Sequence, residues 1–503
     1  MANWEPTDED VIRVLTDQNP WQSTGRVPAT FAPPIERELA RGLYQRVLDA
    51  DLSRFQVVVG PRRVGKTTAM YQTVKRLLGQ GVPRRSLWFF RLDHPLLLDS
   101  SLDQLVRAAI DLAGASESEP AHLFFDELVY AKDWDLWLKT FHDQNYPIRV
   151  IATSSATAAL GRRRLESGLG RWDEHILMPY LFTEFLDLLK IEPHVHFGKS
   201  LARTIEYTFQ DRLDLGDLEG QRQAYLLTGG FPELLLRLNK DIGPDDLETR
   251  LLESQRVLRG DAIERAVYKD IPQSYAIDDP MALERLLYSL AGQVTGIISP
   301  SRMCGELRIS QPTLDRYISY LERAFLVFTL PNYSGREASV QKRGRRIYFV
   351  DTALRNAALQ RGLAPLRRPE EMGLLLENLV ASQLHVMTLN TNQRLFHWRD
   401  GRDEVDLVLD DPESPLAIEV SSSSDHSRHG LRALMERHPR FAGHSYLVSP
   451  DVPLMDPSRG GGVGTIPLDL FLVLVGRQAQ AAIRLRLGGI DDSSAQGELD
   501  LRP

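Results

Sequence analysis

A chain of 503 residues is too long for one hydrophobic core, so about two to four domains are expected. Its apolar fraction of 43% is that of a globular protein, and its net charge of −8 argues against general coating of a polyanion. The single cysteine, Cys304, excludes an intramolecular disulfide and a cysteine-based zinc site. The most apolar run, Leu468–Val475, is far shorter than the roughly 20 residues of a membrane helix. We therefore expect no membrane partner and, since the N-terminus is polar, a cytoplasmic location.

In chain order, a polar lead-in over residues 1–50 contains several prolines that keep it irregular, followed by a helix around Ile35–Leu48. From Phe55 onwards, short apolar runs alternate with helical spacing. The predicted strands are Phe55–Val59, Leu87–Phe90, His122–Phe125 and Ile148–Ala152, and the predicted helices are Thr67–Leu78, Leu102–Ala113 and Asp135–Asp143. This alternation indicates an α/β fold with an open parallel sheet covered on both faces.

A complete phosphate-binding loop follows the first predicted strand. It consists of Gly60, Pro61, Arg62, Arg63, Val64, Gly65, Lys66 and Thr67, with Thr68 next to it on the helix. The glycines allow backbone N–H groups to point at phosphates, and the helix N-terminus adds partial positive charge. Lys66 is expected to reach the β- and γ-phosphates, while Thr67 ligates Mg²⁺. The motif predicts ATP and Mg²⁺ as ligands of a P-loop NTPase sheet.

An acidic pair, Asp126 and Glu127, ends the third predicted strand. We expect Asp126 to hold Mg²⁺ and Glu127 to polarise the attacking water, although such a pair can also be a solvated turn. At the end of the next strand, Ser155 is the first candidate for a residue that senses the γ-phosphate, and Thr153 is the second. Both could instead be ordinary helix N-caps.

Arginines follow the fourth strand, at Arg162, Arg163, Arg164 and Arg171. An arginine that reaches the γ-phosphate of a neighbouring subunit would stabilise negative charge in the transition state. Arg171 is the best single candidate, because glycines precede it and an apolar segment follows. Solvated surface arginines remain the alternative for all four.

An ordered set of motifs extends beyond the P-loop: Asn19-Pro20-Trp21, Phe125-Asp126-Glu127, Gly170-Arg171, Pro179–Phe185 and Gly229–Glu233. With the P-loop, this set resembles the prokaryotic AAA-type ATPases that carry a C-terminal nuclease-like domain of uncharacterised function, over roughly residues 15–480. The resemblance implies a helical lid whose Gly230 and Pro232 close over the nucleotide. It also implies homo-oligomers, expected as a hexameric ring, with ATP at subunit interfaces. Alternatively, Gly229 and Gly230 end one helix and Pro232 starts the next.

A helix-turn-helix pattern lies between Leu283 and Leu330. Ser310 is a suitable N-cap for a third helix over Leu314–Arg323, and a hairpin within Ser339–Val350 should follow, with Gly344 at its tip. The segment from Gly296 to Arg346 holds nine Lys/Arg and four Asp/Glu, and we expect a winged helix that contacts the DNA backbone. The predicted contacts are Arg316, Lys342, Arg343, Arg345 and Arg346. A protein-docking role for the same module stays open.

The last module is similar to the PD-(D/E)xK nuclease core, through Glu377 on a helix and Asp406 and Glu419 on successive strands. In that core, carboxylates gather Mg²⁺ and a lysine orients the attacking water. Here Ser421 stands at the lysine position, and no lysine occurs after Lys342. We therefore expect a nuclease fold whose cleavage site is degenerate, with Asp406 and Glu419 as a possible vestigial metal site.

The predicted domains are the lead-in (1–50), the AAA-type P-loop ATPase core (51–180), the helical lid (181–280), the winged helix (281–350), the α/β nuclease-like domain (351–486) and a disordered tail (487–503). The favoured function is an ATP-hydrolysing oligomer that binds and remodels DNA, or translocates on it, in repair, recombination or defence. Two alternatives remain: a nucleotide-driven signalling switch with protein-binding C-terminal modules, and an ATP-gated Mg²⁺-dependent DNA nuclease.

Overall fold

The computed structural model describes residues 8–49, 54–98, 100–155, 170–193, 195–196, 198–210, 215–238, 244–275, 277, 279–335, 344–459 and 461–488. The chain divides into two compact units. The first contains Met1–Leu177 and Arg484–Gly489, and the second contains Met178–Ile483. The predicted tail over residues 487–503 lies outside the described part from residue 489 onwards.

The first unit alternates strands and helices as expected. Its longer helices are α1 (Asp8–Gln18), α2 (Glu38–Leu48), α3 (Lys66–Gly79), α4 (Leu102–Ala113) and α5 (Trp134–Asp143), with a single helical turn over Trp21–Thr24. Its strands are β1 (Phe55–Val59), β2 (Leu87–Arg91), β3 (Ala121–Asp126), β4 (Ile148–Ser154) and β5 (Trp172–Ile176). The four predicted strands and three of the helices agree with these bounds within three residues. Helix α1 lies in the lead-in that we expected to be irregular, and that expectation is wrong for Asp8–Gln18.

The five strands form one sheet in the order β2-β3-β4-β1-β5, and every neighbouring pair is parallel. The predicted P-loop NTPase sheet is therefore confirmed. Strand β5 is absent from the sequence prediction, because Asp173, Glu174 and His175 give Trp172–Ile176 a polar composition. It is an edge strand that pairs with β1 through backbone hydrogen bonds. Its side chains do not show the apolar pattern that would have predicted a strand.

The free edge of β2 is covered by the segment that follows α1. The Asn19 side chain is fully buried; its amide donates to the Phe89 carbonyl at 2.9 Å and its oxygen accepts from the Phe89 N–H at 2.6 Å. The Trp21 indole donates to the carbonyl of Leu87 at 3.0 Å. These side chains satisfy backbone groups that an edge strand would otherwise leave open.

The second unit begins with a helical region. Its helices are α6 (Phe182–Leu188), α7 (Leu201–Thr208), α8 (Glu219–Thr228), α9 (Pro232–Leu238) and α10 (Pro244–Leu258), followed by π-helical turns over Arg259–Glu264 and Ala266–Asp270 and a short helix over Ile271–Ser274. This agrees with the mostly helical segment that the sequence indicates between the parallel sheet and the middle module.

Three helices and a two-stranded sheet make up the middle of this unit. They are α11 (Pro280–Gly292), α12 (Pro300–Leu307), α13 (Gln311–Arg323), β6 (Val327–Leu330) and β7 (Arg346–Phe349). The Ser310 hydroxyl accepts from the Thr313 N–H at 3.3 Å, the N-cap that the sequence predicts. The expected hairpin within Ser339–Val350 is wrong in its pairing: β7 pairs antiparallel with β6, and residues 336–343 lie outside the described part.

A mixed sheet with flanking helices completes the second unit. The remaining helices are α14 (Thr352–Leu359), the single turn Ala364–Arg367, α15 (Pro369–Thr388), α16 (His429–Arg437) and α17 (Leu468–Arg486), and the strands are β8 (Arg394–Asp400), β9 (Asp403–Asp410), β10 (Leu416–Val420), β11 (Ser445–Ser449) and β12 (Val463–Pro467). The sheet order is β12-β11-β10-β9-β8. The pairs β8·β9 and β9·β10 are antiparallel, whereas β10·β11 and β11·β12 are parallel. This is the additional α/β domain that the sequence predicts.

Buried polar groups tie the parts of the second unit together. Asn378 of α15 is fully buried and exchanges two hydrogen bonds with the backbone of Phe349, at 2.8 and 3.1 Å. Gln383 accepts from the Phe182 N–H at 3.0 Å. Because a buried polar group without its partner is costly, these bonds fix the register between helices and strands distant in sequence.

In the part of the chain that the structure describes, no helix combines the length and the apolar character needed to cross a membrane.

Candidate functional site

The phosphate-binding loop connects β1 to α3, as the sequence predicts. A Cβ atom on Gly60 would lie 2.0 Å from the carbonyl oxygen of Leu177, so no larger residue fits at the start of the loop. Gly65 has φ +95° and precedes the first residue of α3. The two glycines thus allow the tight curl that turns the loop N–H groups inward at the helix N-terminus.

Lys66 lies at the centre of this loop. Its ammonium group donates to the carbonyls of Gly60 at 2.9 Å and Pro61 at 2.8 Å, and to the hydroxyl of Ser155 at 3.1 Å. The residue is 6% exposed. These three acceptors are neutral oxygens, and an anionic phosphate in their place would form stronger, charge-assisted hydrogen bonds with the ammonium.

Thr67 and Asp126 meet at the carboxyl end of β3. The Thr67 hydroxyl lies 3.0 Å from each carboxylate oxygen of Asp126, and the Thr153 hydroxyl donates to Oδ1 at 2.6 Å. Burial, followed by the charge of Glu127, raises the pKa of Asp126 to about 6, against the hydrogen bonds from Thr153 and Thr67. A buried carboxylate beside a hydroxyl is an oxygen-donor pair that fits Mg²⁺.

Glu127 is held by both of its carboxylate oxygens. The Ser155 hydroxyl donates to Oε1, and the Ser155 N–H donates to Oε2 at 3.2 Å. The guanidinium of Arg62 lies 3.8 Å from Oε1. With φ +57°, Glu127 adopts the left-handed backbone that non-glycine residues rarely occupy, and such strain occurs preferentially at functional sites. The structure thus brings Lys66, Ser155 and Glu127 into one network.

The predicted arginine finger, Arg171, lies just before β5 and is ion-paired. Its guanidinium binds the carboxylate of Asp143 at 2.7 and 3.0 Å. This pair holds the side chain on its own unit, and its role across a subunit interface stays a prediction. The other candidates, Arg162, Arg163 and Arg164, lie outside the described residues.

Gly229, Gly230 and Pro232 lie between α8 and α9 in the second unit. Gly229 is the C-cap of α8, and Pro232 is the first residue of α9. The Gly230 N–H donates to Asp351 at 2.7 Å, and a Cβ on Gly229 would lie 1.7 Å from Oδ1 of Asp351. A Cβ on Gly230 would lie 2.2 Å from the Tyr180 carbonyl oxygen, so contacts within the second unit account for both glycines. The predicted nucleotide contact of Gly230 and Pro232 stays a prediction.

The predicted DNA-contacting residues have different environments. Arg316 is exposed on α13, and Arg345 binds Asp315 at 2.8 Å. Lys342 and Arg343 lie outside the described residues. Arg346 is 5% exposed, with its guanidinium on the carboxylates of Glu377, Glu404 and Asp406. The prediction for Arg346 is therefore wrong, because a guanidinium buried under three carboxylates is not offered to a phosphate.

The predicted vestigial metal site, Asp406 and Glu419, shares Asp406 with this ion-paired group. Asp406 accepts from the Arg346 guanidinium at 2.9 Å and from the Val420 N–H at 3.0 Å. Glu419 accepts from His426 at 2.9 Å when that ring nitrogen carries the proton. Burial, followed by the charge of Asp406, raises the pKa of Glu419 to about 7. No group of three or more His, Cys, Asp or Glu side chains among the described residues is arranged to hold a metal ion. At Asp406, the ion-pair partner of the carboxylate is the guanidinium of Arg346.

Comparison with protein families gives three matches along the chain. The model of an AAA domain matches residues 53–186. A domain of unknown function (DUF8612) matches residues 220–364, and a second one (DUF4143) matches residues 372–454. The first match covers the P-loop, Asp126, Glu127 and Ser155. This part of the chain is therefore similar to AAA domains.

Curated relatives share most of the length of this chain. An uncharacterized protein of Methanocaldococcus jannaschii is 26% identical over 412 residues, which cover 80% of this chain and 82% of the relative. A second one from that organism is 22% identical over 71% of this chain and 72% of the relative. An uncharacterized protein of Mycobacterium tuberculosis is 27% identical over 78% of this chain and 75% of the relative.

Among solved structures, the Aeropyrum pernix ORC1 protein in complex with DNA is 12% identical to this chain, with a TM-score of 0.30. It covers 67% of this chain and 97% of its own. AMPPCP-bound DnaA from Aquifex aeolicus is 13% identical with a TM-score of 0.29, covering 57% of this chain and 86% of its own. These TM-scores are too low to carry an argument about function.

Two residues of these sites have roles that sequence reasoning misses. The sequence places Arg62 only in the P-loop, and its proximity to Glu127 depends on the loop conformation. The sequence places Arg346 on the surface because it ends a basic run. The signal that could have placed it inside is the apolar stretch Ile347–Val350 that follows directly, since a strand buried on both faces begins there.

Proposed function

We propose that this protein is an ATP-hydrolysing oligomer that binds DNA and remodels it or translocates on it, in repair, recombination or defence, with a degenerate nuclease-like domain. The observation that carries the ATPase part is the contact of Lys66 and Glu127 with the same Ser155 hydroxyl. This hydroxyl joins a phosphate-seeking ammonium to the carboxylate that would polarise water.

In this proposal each side chain has one task. Lys66 leaves the carbonyls of Gly60 and Pro61 to bind the β- and γ-phosphates, which offer full negative charge. Thr67 and Asp126 would hold Mg²⁺, which supplies charge neutralisation of the phosphates. Glu127 orients and polarises the attacking water, and Ser155 keeps its carboxylate in position.

Loss of the ammonium tests the ATPase proposal. We expect Lys66→Ala to reduce ATP hydrolysis by roughly 10²-fold or more, because a buried charge-assisted contact with the phosphates is removed. Lys75→Ala is the matched control, since Lys75 is exposed on the same helix and should leave turnover unchanged. Equal hydrolysis by Lys66→Ala and the wild type, measured as phosphate release, would refute the proposed site.

The oligomeric part of the proposal rests on Arg171, which lies just before β5 in the same sheet that carries the P-loop. If Arg171 acts on the ATP of a neighbouring subunit, a mixture of inactive Arg171→Ala and Lys66→Ala proteins should regain hydrolysis. The reason is that some interfaces then combine an intact Lys66 with an intact Arg171. No recovery in the mixture, with assembly shown by light scattering, would argue against a shared site.

The middle module supports the DNA part. Helices α11, α12 and α13 precede the antiparallel pair β6·β7, and Ile297 forms an isolated antiparallel bridge with Arg346. Three helices followed by a small antiparallel sheet are the arrangement of a winged helix, in which the third helix approaches DNA. Arg316 is exposed on α13 and is the described basic residue best placed for a phosphate.

Gel shifts at low salt with single-stranded, duplex and branched DNA test this binding. We expect a shift that weakens as salt is raised, and a weaker shift for Arg316→Ala. Arg302→Ala, on the exposed face of α12, is a control for general loss of positive charge. Absence of any shift, with and without a non-hydrolysable ATP analogue, favours the nucleotide-driven switch with protein-binding modules instead.

A further inference from the structure

The most unusual group in the second unit is the guanidinium of Arg346, at the start of β7. It lies 3.1 Å from Glu377 of α15, 2.9 Å from Asp406 of β9 and 3.1 Å from Glu404 of the same strand. The arginine side chain is 6% exposed, and those of Glu377 and Asp406 are 12% and 11% exposed. A single cation therefore joins three elements in a site that is largely closed to water.

The site is more acidic than this one arginine can balance. Beside Asp406, Glu419 is 8% exposed; its Oε1 faces His426, and its Oε2 is buried without a hydrogen-bond partner among the described residues. Three carboxylates thus contact the guanidinium, and Glu419, next to Asp406, contacts the imidazole. Since a buried carboxylate without a counter-charge is costly, a cation beside Glu377, Asp406 and Glu419 is stabilising.

The residues that flank Arg346 in sequence help to fix its position, in addition to the carboxylates that it contacts. Arg345 faces the opposite side of the strand and binds Asp315 of α13, as alternate strand residues do. Two residues further on, Tyr348 donates to Glu377 at 2.8 Å, and the next backbone N–H, of Phe349, donates to Asn378. Strand β7 is therefore docked against α15 over its whole length, with the guanidinium held over the carboxylates.

We propose that Arg346 is a built-in cation that occupies the carboxylate cluster of Glu377, Asp406 and Glu419 and keeps divalent cations out of it. Arg346 thus inhibits cation binding from within the same chain, because β7 supplies the positive charge that a cation from solution would otherwise provide.

The test measures Mn²⁺ binding to the full-length, nucleotide-free protein by electron paramagnetic resonance. Arg346→Met keeps the length of the side chain and removes its charge. We expect this variant to bind Mn²⁺ at least about tenfold more tightly than the wild type, with one added site, because the carboxylates are no longer neutralised. The added site should disappear in the double variant Arg346→Met/Asp406→Asn. Binding at the P-loop is common to all the proteins and cancels in the comparison.

Two controls make the result specific. Arg345→Met removes the neighbouring charge from the opposite face of the strand and should gain no Mn²⁺ site. Asp406→Asn alone should leave Mn²⁺ binding at the wild-type level. The proposal is overturned if Arg346→Met binds no more Mn²⁺ than the wild type, or if Asp406→Asn removes a site that the wild type already has.

If Arg346→Met folds poorly, its melting temperature still tests the proposal. Arg346→Met leaves buried carboxylates uncompensated, so its melting temperature should rise on adding Mn²⁺ or on the second change Asp406→Asn. The rise with Mn²⁺ should exceed any rise in the wild type, and Asp406→Asn should not raise the melting temperature of the protein that retains Arg346. If Arg346→Met is rescued by neither change, the arginine acts only as a packing residue and the proposal fails.

Discussion

The hydroxyl of Thr67 lies 3.0 Å from both carboxylate oxygens of Asp126. The first residues of α3 and the last residue of β3 are thus joined at the edge where parallel strands of such a sheet bind ligands. Asp126 and Glu127 are adjacent in sequence, yet they face different partners. Asp126 faces the two threonine hydroxyls, whereas Glu127 faces Ser155 and Arg62. This separation of the two carboxylates leads to distinct predictions for them.

Glu127→Gln should separate ATP binding from hydrolysis. The amide keeps the size of the side chain but cannot polarise water, so we expect the hydrolysis rate to fall by about 10²–10⁴-fold while ATP still binds. Phosphate release and binding of a fluorescent ATP analogue measure the two effects. Exposed Glu119 of the same unit provides the control Glu119→Gln, which should change neither quantity. A normal rate in Glu127→Gln would exclude Glu127 as the base.

Ser155→Ala removes one hydroxyl that contacts both Lys66 and Glu127. Hydrogen bonds to charged groups contribute about 1.5–3 kcal/mol, so we expect kcat to fall by roughly 10–100-fold. The expected change in KM is smaller, because the other contacts of Lys66 remain. Ser116→Ala is the control, since Ser116 lies in an exposed turn of the same unit. If only KM changes, Ser155 serves binding and not the positioning of Glu127.

Gly229→Ala should destabilise the second unit. The new methyl would lie 1.7 Å from Oδ1 of Asp351, at a backbone φ of +59°. We expect a loss of about 2–4 kcal/mol in the free energy of unfolding, from strain and overpacking together. Urea denaturation measures it.

Gly220→Ala is the matched control for that loss, because Gly220 lies on α8 and a methyl group added there would have nothing within 4 Å. It should stabilise by up to about 1 kcal/mol through helix propensity. If both glycine variants behave alike, the contact with Asp351 does not constrain the turn.

His175 makes the first unit sensitive to acid. Burial, followed by the charges of Arg486 and Arg46, lowers the pKa of this histidine from 6.5 to about 4. Between these values the unfolded chain binds a proton that the folded chain refuses, so the free energy of unfolding falls as pH drops from 6.5 to 4. The full loss from this residue is roughly 3 kcal/mol.

His175→Gln should flatten that pH dependence. Calorimetry from pH 7.5 to 4.5 measures it, with the transition of the first unit identified by its shift on adding an ATP analogue. His429→Gln is the control, because that imidazole is 77% exposed and its loss should leave the slope unchanged. Parallel curves for His175→Gln and the wild type would contradict the assignment.

The sequence predicts those parts of the site that depend on local patterns. Gly60–Thr67 follows a β-branched strand and begins a helix, so one short segment carries both the motif and its context. Asp126 and Glu127 are found in the same way, at the end of a strand. Lys66, Ser155 and Glu127 converge because each follows the carboxyl end of a strand in one parallel sheet. The alternation of strands and helices in the sequence indicates such a sheet.

Pairing between distant segments is what the sequence does not show. Strand β5 has a polar composition, and its place beside β1 comes from backbone hydrogen bonds that any sequence can form. The basic run ending at Arg346 has the composition of a surface, yet its last member lies inside because α15 and β9 supply carboxylates 31 and 60 residues away. Charge alone does not reveal which arginine of a cluster has a buried partner.

The hydrogen bonds from Asn19 and Trp21 to the free edge of β2 have a consequence for N-terminal truncation of this protein. Without the first two dozen residues, Leu87–Arg91 would present open N–H and C=O groups on a strand that is rich in aromatic residues. Strands of this kind associate edge to edge with other copies. A truncated ATPase core that begins at the P-loop strand is therefore expected to precipitate, because it lacks the N-terminal segment that covers this edge.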